Sequence, residues 1–167
     1  MAAPRWGLNA RDDRMIAREC AVRYPELMKL PDTAKVCIEI SRFSFVKRRP
    51  DGTVAFVSPV PSLYSYGSVH SVEAADGDPQ DALVVGAAPR RGSTVEYPVW
   101  GQVLFMDAGV TDHKWVVGPR RLTSAEWTNL GRFFRLYAIA KRCMGWRHPS
   151  KAETVFQGIE QQEPNAG

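Results

Sequence analysis

The sequence predicts an α+β fold: a small β-barrel or sandwich core flanked by an N-terminal and a C-terminal helix. Three observations predict it. Short apolar runs broken by Pro, Gly and Asp fill the middle of the chain, a helical apolar spacing precedes them, and a strong helix-start signal follows at Thr123. At 167 residues the chain fits a single domain, 1–167, with its core at about 34–146.

The elements follow in order. Over 11–23, Met15, Ile16, Cys20 and Ala21 recur on one face and Pro25 stops the pattern, which predicts a short N-terminal helix. From Ala34 to Val117 the apolar runs are 36–40, 43–46, 54–57, 82–85, 95–99, 103–106 and 115–117. Turns at Pro50-Asp51-Gly52, Asp76-Gly77-Asp78-Pro79 and Arg91-Gly92-Ser93 separate some of them. Thr123-Ser-Ala-Glu126 is a capping box, in which Glu126 can answer the Thr123 amide. Trp127, Leu130, Phe133, Phe134, Tyr137 and Ala140 then recur at three- and four-residue steps, as in a helix with one buried stripe. Residues 158–167 are poor in apolar side chains and read as a frayed tail.

Composition narrows the function classes. The chain is 44% hydrophobic and 24% charged, as soluble globular proteins are. No run approaches the ~18 apolar residues of a membrane helix, and the start lacks a secretory signal, so a cytoplasmic protein without a membrane partner is expected. The net charge of +4 is spread along the chain, and the basic clusters at Lys47-Arg48-Arg49 and Arg90-Arg91 suit a small anionic substrate as well as a nucleic acid, so no nucleic-acid partner is expected. Cys20, Cys37 and Cys143 lack CxxC spacing and read as buried, reduced thiols. His70, His113 and His148 are scattered without zinc-site spacing.

The chemistry concentrates in carboxylates. Asp76, Asp78 and Asp81 fall within six residues on a turn that opens into an apolar strand. Clustered like charges need neutralising, and Asp oxygens without His or Cys neighbours select hard divalent cations such as Mg²⁺. A DGDP segment alone is also a common surface turn. A second acidic pair, Asp107 and Asp112, ends a strand run and is followed by Lys114, which places metal ligands and a phosphate-neutralising cation in one loop. Removing one crowded carboxylate, as in Asp81→Asn, is expected to relieve repulsion and leave the metal-free protein at least as stable.

With these residues in view, the chain resembles the family I soluble inorganic pyrophosphatases. Asp76-Gly-Asp78-Pro-Gln80-Asp81 matches the family's Asp-x-Asp-Pro-apolar-Asp loop except at Gln80, and Asp107, Asp112 and Lys114 match its second motif. Ile38-Glu39-Ile40 resembles the first strand with its inward Glu, and Lys47 stands near the place of a phosphate-binding lysine. Ser65-Tyr66-Gly67, Phe133-Phe134-Arg135-Leu136-Tyr137 and Gly145-Trp146 resemble later family segments. The resemblance covers about Val36 to Trp146.

It implies an OB-like barrel and hydrolysis of pyrophosphate to two phosphates. It implies several Mg²⁺ ions, with Mn²⁺ as an alternative, at Asp76, Asp81, Asp107, Asp112 and Glu39. Asp78 is the expected base; Lys114, Lys47, Tyr66 and Tyr137 are expected on the phosphates, Lys114 and Tyr66 among the catalytic groups. A homo-oligomer is expected as well. The sequence departs from the family on the phosphate side. No arginine stands near Ser58 or Pro59, the first tyrosine of the Tyr-Gly segment has no counterpart unless Tyr64 moves in, and Ala138 replaces the lysine after the helix tyrosine. Arg42, Arg48 and Arg49 are the nearest substitutes by sequence, with Arg135 and Arg142 behind them. Two other readings stay open: a same-fold hydrolase of another phosphoanhydride, and a relative that binds metal and phosphate without turnover.

Overall fold

The computed structural model describes residues 30–48, 52–58, 60–75, 77–145 and 153–163. The expected helix at 11–23, Asp76, Pro59 and Trp146 lie outside the described residues.

Five strands close a barrel: β1 (Thr33–Ile40), β4 (Ser65–Glu73), β5 (Pro79–Val84), β8 (Lys114–Val117) and β6 (Thr94–Asp107), in that spatial order, with β6 returning to β1. β5 and β8 run parallel, with Ala82 opposite Trp115, and the other barrel pairs are antiparallel. Outside the ring, β2 (Val46–Arg48) and β3 (Val54–Val57) form a separate hairpin, and β7 (Val110–Thr111) and β9 (Val155–Gln161) both pair with β6. The barrel with one packed helix is the α+β, OB-like architecture that the resemblance implies.

β5 and β8 are covered on both faces, by the barrel interior on one side and the helix on the other, which is why Leu83, Val84 and Val85 are apolar without alternation, whereas β1 and β6 alternate buried with more exposed positions. Val36, Ile38, Val69, Val84, Val99 and Val117 fill one core cluster. Leu83, Val103, Phe105 and Val116 face the other, against Trp127, Leu130 and Phe134 of the helix α1 (Ser124–Gly145). Each such fully buried side chain contributes about 1.5–3 kcal/mol. The helix begins where the capping box predicts. Thr123 N–H donates to Glu126 Oε2 at 2.8 Å and Glu126 N–H donates to Thr123 Oγ1 at 3.2 Å. Arg120 bonds the same carboxylate and, with the cap, draws its pKa down to about 2.

Five local expectations change. The segment 43–46 is largely not strand: Phe43 has φ of 67° in a turn, and the strand starts at Val46. The runs 95–99 and 103–106 belong to one 14-residue strand, because a bulge between Val99 and Gly101 absorbs the Pro and Gly that punctuate the sequence. β4 is short of large apolar residues, since Gly67 must lie against β1: a Cβ there would stand 2.1 Å from Cys37 O. The frayed tail expected from Gly158 is ordered strand through Gln161, because β6 offers it a free edge; Gln102 lies opposite Glu160 and bonds it at 2.6 Å. Cys37 and Cys143 are free thiols, and Cys143 is exposed where burial was expected.

Candidate active site

One cavity of about 360 Å³ opens between the barrel mouth, the β2–β3 hairpin and α1. Asp81 enters it from β5, Asp107 from the end of β6, Asp112 from the residue after β7, and Lys114 from the first position of β8. The hairpin gives Lys47, β4 gives Tyr66, and α1 gives Tyr137 and Lys141.

Local backbone chemistry aims these groups. Asp107 and Val110 pair across a two-residue turn whose central residues, Ala108 and Gly109, both have positive φ, at 52° and 83°. Such a turn matches the strand twist and returns the chain at once, so Asp107 and Asp112 reach the same mouth. Gln80, where the family has an apolar residue, is buried and ties β5 to the loop before β8 by donating to His113 O at 2.7 Å.

Each carboxylate is answered by a lysine. Lys114, buried, donates to Asp81 Oδ2 at 2.9 Å, to Asp112 Oδ1 at 2.6 Å and to Tyr66 OH at 3.2 Å. Lys47 meets Glu39 at 2.8 Å and stands 4.0 Å from Asp81, while Ser68 donates to Glu39 at 2.7 Å. Lys141 pairs with Asp107, and buried Thr154 donates to the other oxygen of that carboxylate at 2.8 Å. Tyr66 OH donates to Asp81.

These contacts set the ionisation. Burial opposes the charge on Asp81, but Lys114, Lys47 and the Tyr66 hydroxyl outweigh it and hold the pKa down. Burial likewise opposes the charge on Asp107, and Lys141 and Thr154 outweigh it. For Asp112 burial prevails over Lys114, with Asp81 and Asp107 adding repulsion, and the pKa rises. Burial works against the Lys114 ammonium, yet Tyr66, Asp81 and Asp112 raise its pKa well above the ordinary value. Burial drives Tyr66 well up and Tyr137 to about 12, so both are neutral hydrogen-bond donors at physiological pH.

The structure thus brings together Asp81, Asp107, Asp112, Lys114, Lys47, Tyr66 and Tyr137. Glu39 joins through Lys47 and Ser68. Asp78 is exposed on the loop before β5 and does not line the cavity, and Asp76 lies outside the described residues. The donors on hand are carboxylate oxygens without His or Cys, a set that fits a hard divalent cation, and Lys114 already sets a positive charge between Asp81 and Asp112. Among the described residues no three such ligands form a ready cage.

Of the substitutes named from sequence, Arg42, Arg135 and Arg142 do not line the cavity, and the Arg48 side chain is not described. Arg42 lies over Phe43 and lines a different pocket together with Tyr64; Arg135 lies over Phe156, and Arg142 is exposed. Arg49 lies outside the described residues. The cation that α1 supplies is Lys141, one turn beyond buried Ala138. Its signal in the sequence is the four-residue step from Tyr137, which puts both on one helix face, with the ammonium 5.5 Å from the tyrosine ring centroid. Thr154 left no such signal, because it lies beyond the segment that carries the resemblance.

The family model described as inorganic pyrophosphatase matches residues 30–131. Among solved structures, the inorganic pyrophosphatase from Coxiella burnetii is 24% identical with a TM-score of 0.62, covering 78% of this chain and 86% of its own. The enzyme from Helicobacter pylori is 25% identical with a TM-score of 0.60, covering 80% and 90%. That from Thermus thermophilus is 22% identical with a TM-score of 0.58, covering 84% and 86%. No protein of curated function matches the sequence. The family match spans more than half of the chain, and the chain belongs to the inorganic pyrophosphatase family.

Proposed function

We propose that the protein hydrolyses inorganic pyrophosphate to two phosphates with Mg²⁺. The observation that carries this reading is the convergence of Asp81, Asp107 and Asp112 with Lys47, Lys114 and Lys141 on one cavity. Asp81, Asp107 and Asp112, with Asp76 and Glu39, are the proposed ligands. Mg²⁺ held there supplies Lewis acidity, lowering the pKa of a water toward neutrality and screening the phosphoryl charge.

The chain's own groups do the rest. Lys114 and Lys141 are released in part from their carboxylates and turn to phosphoryl oxygens, and Lys47 takes the second phosphoryl. Tyr66 and Tyr137, kept protonated by burial, donate hydrogen bonds to the substrate. The water oxygen bonds to phosphorus, the bridging P–O bond breaks, and its electron pair leaves on the second phosphate. Asp78 is the proposed acceptor of the water's proton.

Phosphate release from pyrophosphate, followed with Mg²⁺ and with Ca²⁺, tests the reading. Release is expected with Mg²⁺ and only weakly with Ca²⁺, whose longer and looser coordination misplaces the water. Equal rates with both ions, or none with Mg²⁺, would count against it.

A further inference from the structure

Asp81, Asp107 and Asp112 reach the cavity from three separate segments: β5, the end of β6 and the residues between β7 and β8. Residues that do not line the cavity tie those segments together. Gln80, buried beside Asp81, donates from Nε2 to His113 O at 2.7 Å and to Asp81 O at 3.0 Å. His113 stands between Asp112 and Lys114, and its Nδ1 lies 3.2 Å from both the N and the O of Phe105, which precedes Asp107 by two positions. The Asp112 N–H donates to the same Phe105 O at 2.9 Å. Each tie therefore falls one or two residues from a carboxylate of the site.

The strand register shows what Gln80 adds. Backbone pairing between β5 and β8 runs from Val84 opposite Val117 back to Ala82 opposite Trp115. Asp81 and Lys114 stand just past that last pair, and Gln80 and His113 one position further still. The Gln80 side chain carries the connection on to the far side of Asp81 and Lys114, so both are bracketed. The chemistry of the bond is particular. Its two acceptors are carbonyl oxygens, which take only donors, so the bracket needs the NH2 of a primary amide. An apolar side chain, as the family's pattern has at this place, supplies neither bond.

We propose that Gln80 is a positioning residue for the metal-binding carboxylates, fixing Asp81 relative to Asp112 and Lys114 and so raising the site's affinity for Mg²⁺. This rests on the metal-dependent reading of the site above. Mg²⁺ demands close to ideal geometry from its ligands, so carboxylates already held in place need less ordering when it binds.

Gln80→Met keeps the side-chain length and removes the donors, and Gln80→Leu gives a second reading should it fail to fold. Both are compared with wild type and with Val36→Ala, a buried substitution in the β1 core that touches no group of the site. In the metal-free Gln80 variants the Asp112 amide is expected to gain at least tenfold more in hydrogen-exchange rate than the β1 amides do. Calorimetric titration is expected to show Mg²⁺ bound about 10- to 100-fold more weakly, with Val36→Ala at the wild-type affinity. Exchange speeded equally in both places, or an affinity that falls as far in Val36→Ala, would show a general loss of stability and overturn the inference. Unchanged exchange and affinity in the Gln80 variants would overturn it as well and leave the proposed function standing. A wild type that binds no Mg²⁺ would overturn both.

Discussion

Thr154 Oγ1 donates to Asp107 Oδ1 at 2.8 Å and accepts the Ala108 N–H at 3.3 Å, so a residue just ahead of the last strand fixes the carboxylate that ends β6. Thr154 is fully buried, and its two bonds hold both the side chain of Asp107 and the positive-φ turn behind it.

Thr154→Val keeps the shape and removes both bonds. It is expected to cost about 1–3 kcal/mol, since the Ala108 N–H loses its partner, and to lower Mg²⁺-dependent turnover through a misplaced Asp107. Urea unfolding and steady-state kinetics check this; unchanged values in both would show that Asp107 needs no such support.

Asp81→Asn is expected to destabilise the metal-free protein by roughly 1–3 kcal/mol, against the relief of repulsion that carboxylate crowding in the sequence suggests. The structure reverses the sign because Asp81 is engaged by Lys114, Tyr66 and Lys47, and the variant leaves buried Lys114 with Asp112 as its one carboxylate contact. A melting temperature equal to or above wild type would restore the repulsion argument.

Lys141→Met is expected to lower kcat/KM for pyrophosphate by about 10- to 150-fold, the equivalent of one lost charged contact of ~1.5–3 kcal/mol. Ala138→Lys is not expected to improve the enzyme. Ala138 is buried against the barrel, so a lysine there disrupts packing and lowers the melting temperature. A faster and equally stable Ala138→Lys would show that the helix charge is still wanted at 138.

Stability is expected to depend on pH at both ends. Asp81 and Asp107 have folded pKa values below the ordinary 3.8, so their contribution is present above about pH 4 and is lost as pH falls through the folded values. Asp112, raised, acts oppositely and blunts this loss. Lys114 and Tyr66 are raised, so their contribution is full below pH 10 and is lost as pH rises through their folded values. Urea midpoints across pH for wild type and Asp107→Asn read this: the variant should lose part of the acid limb and keep the alkaline one. An unchanged acid limb would remove Asp107 from the account.

Much of the protein was legible in the chain because the signals are local. The capping box with its apolar stripe located α1, the apolar runs located most of the barrel, and the spacing of Asp81, Asp107, Asp112 and Lys114 marked the residues that meet at the mouth. The cap, the stripe, the runs and each of the two acidic motifs are read within a few positions of one another. Tertiary structure decided what depends on distant pairings. β4 lacks an apolar pattern because Gly67 must pack against β1, and β9 is a strand because the edge of β6 pairs with it. Lys141 completes the cavity because the helix packs against the barrel and brings its ammonium to Asp107 at the end of β6. The sign of the Asp81 substitution turns on which cations fold against that carboxylate, and those come from β2 and β8, brought to it by the closing of the barrel and the packing of the hairpin.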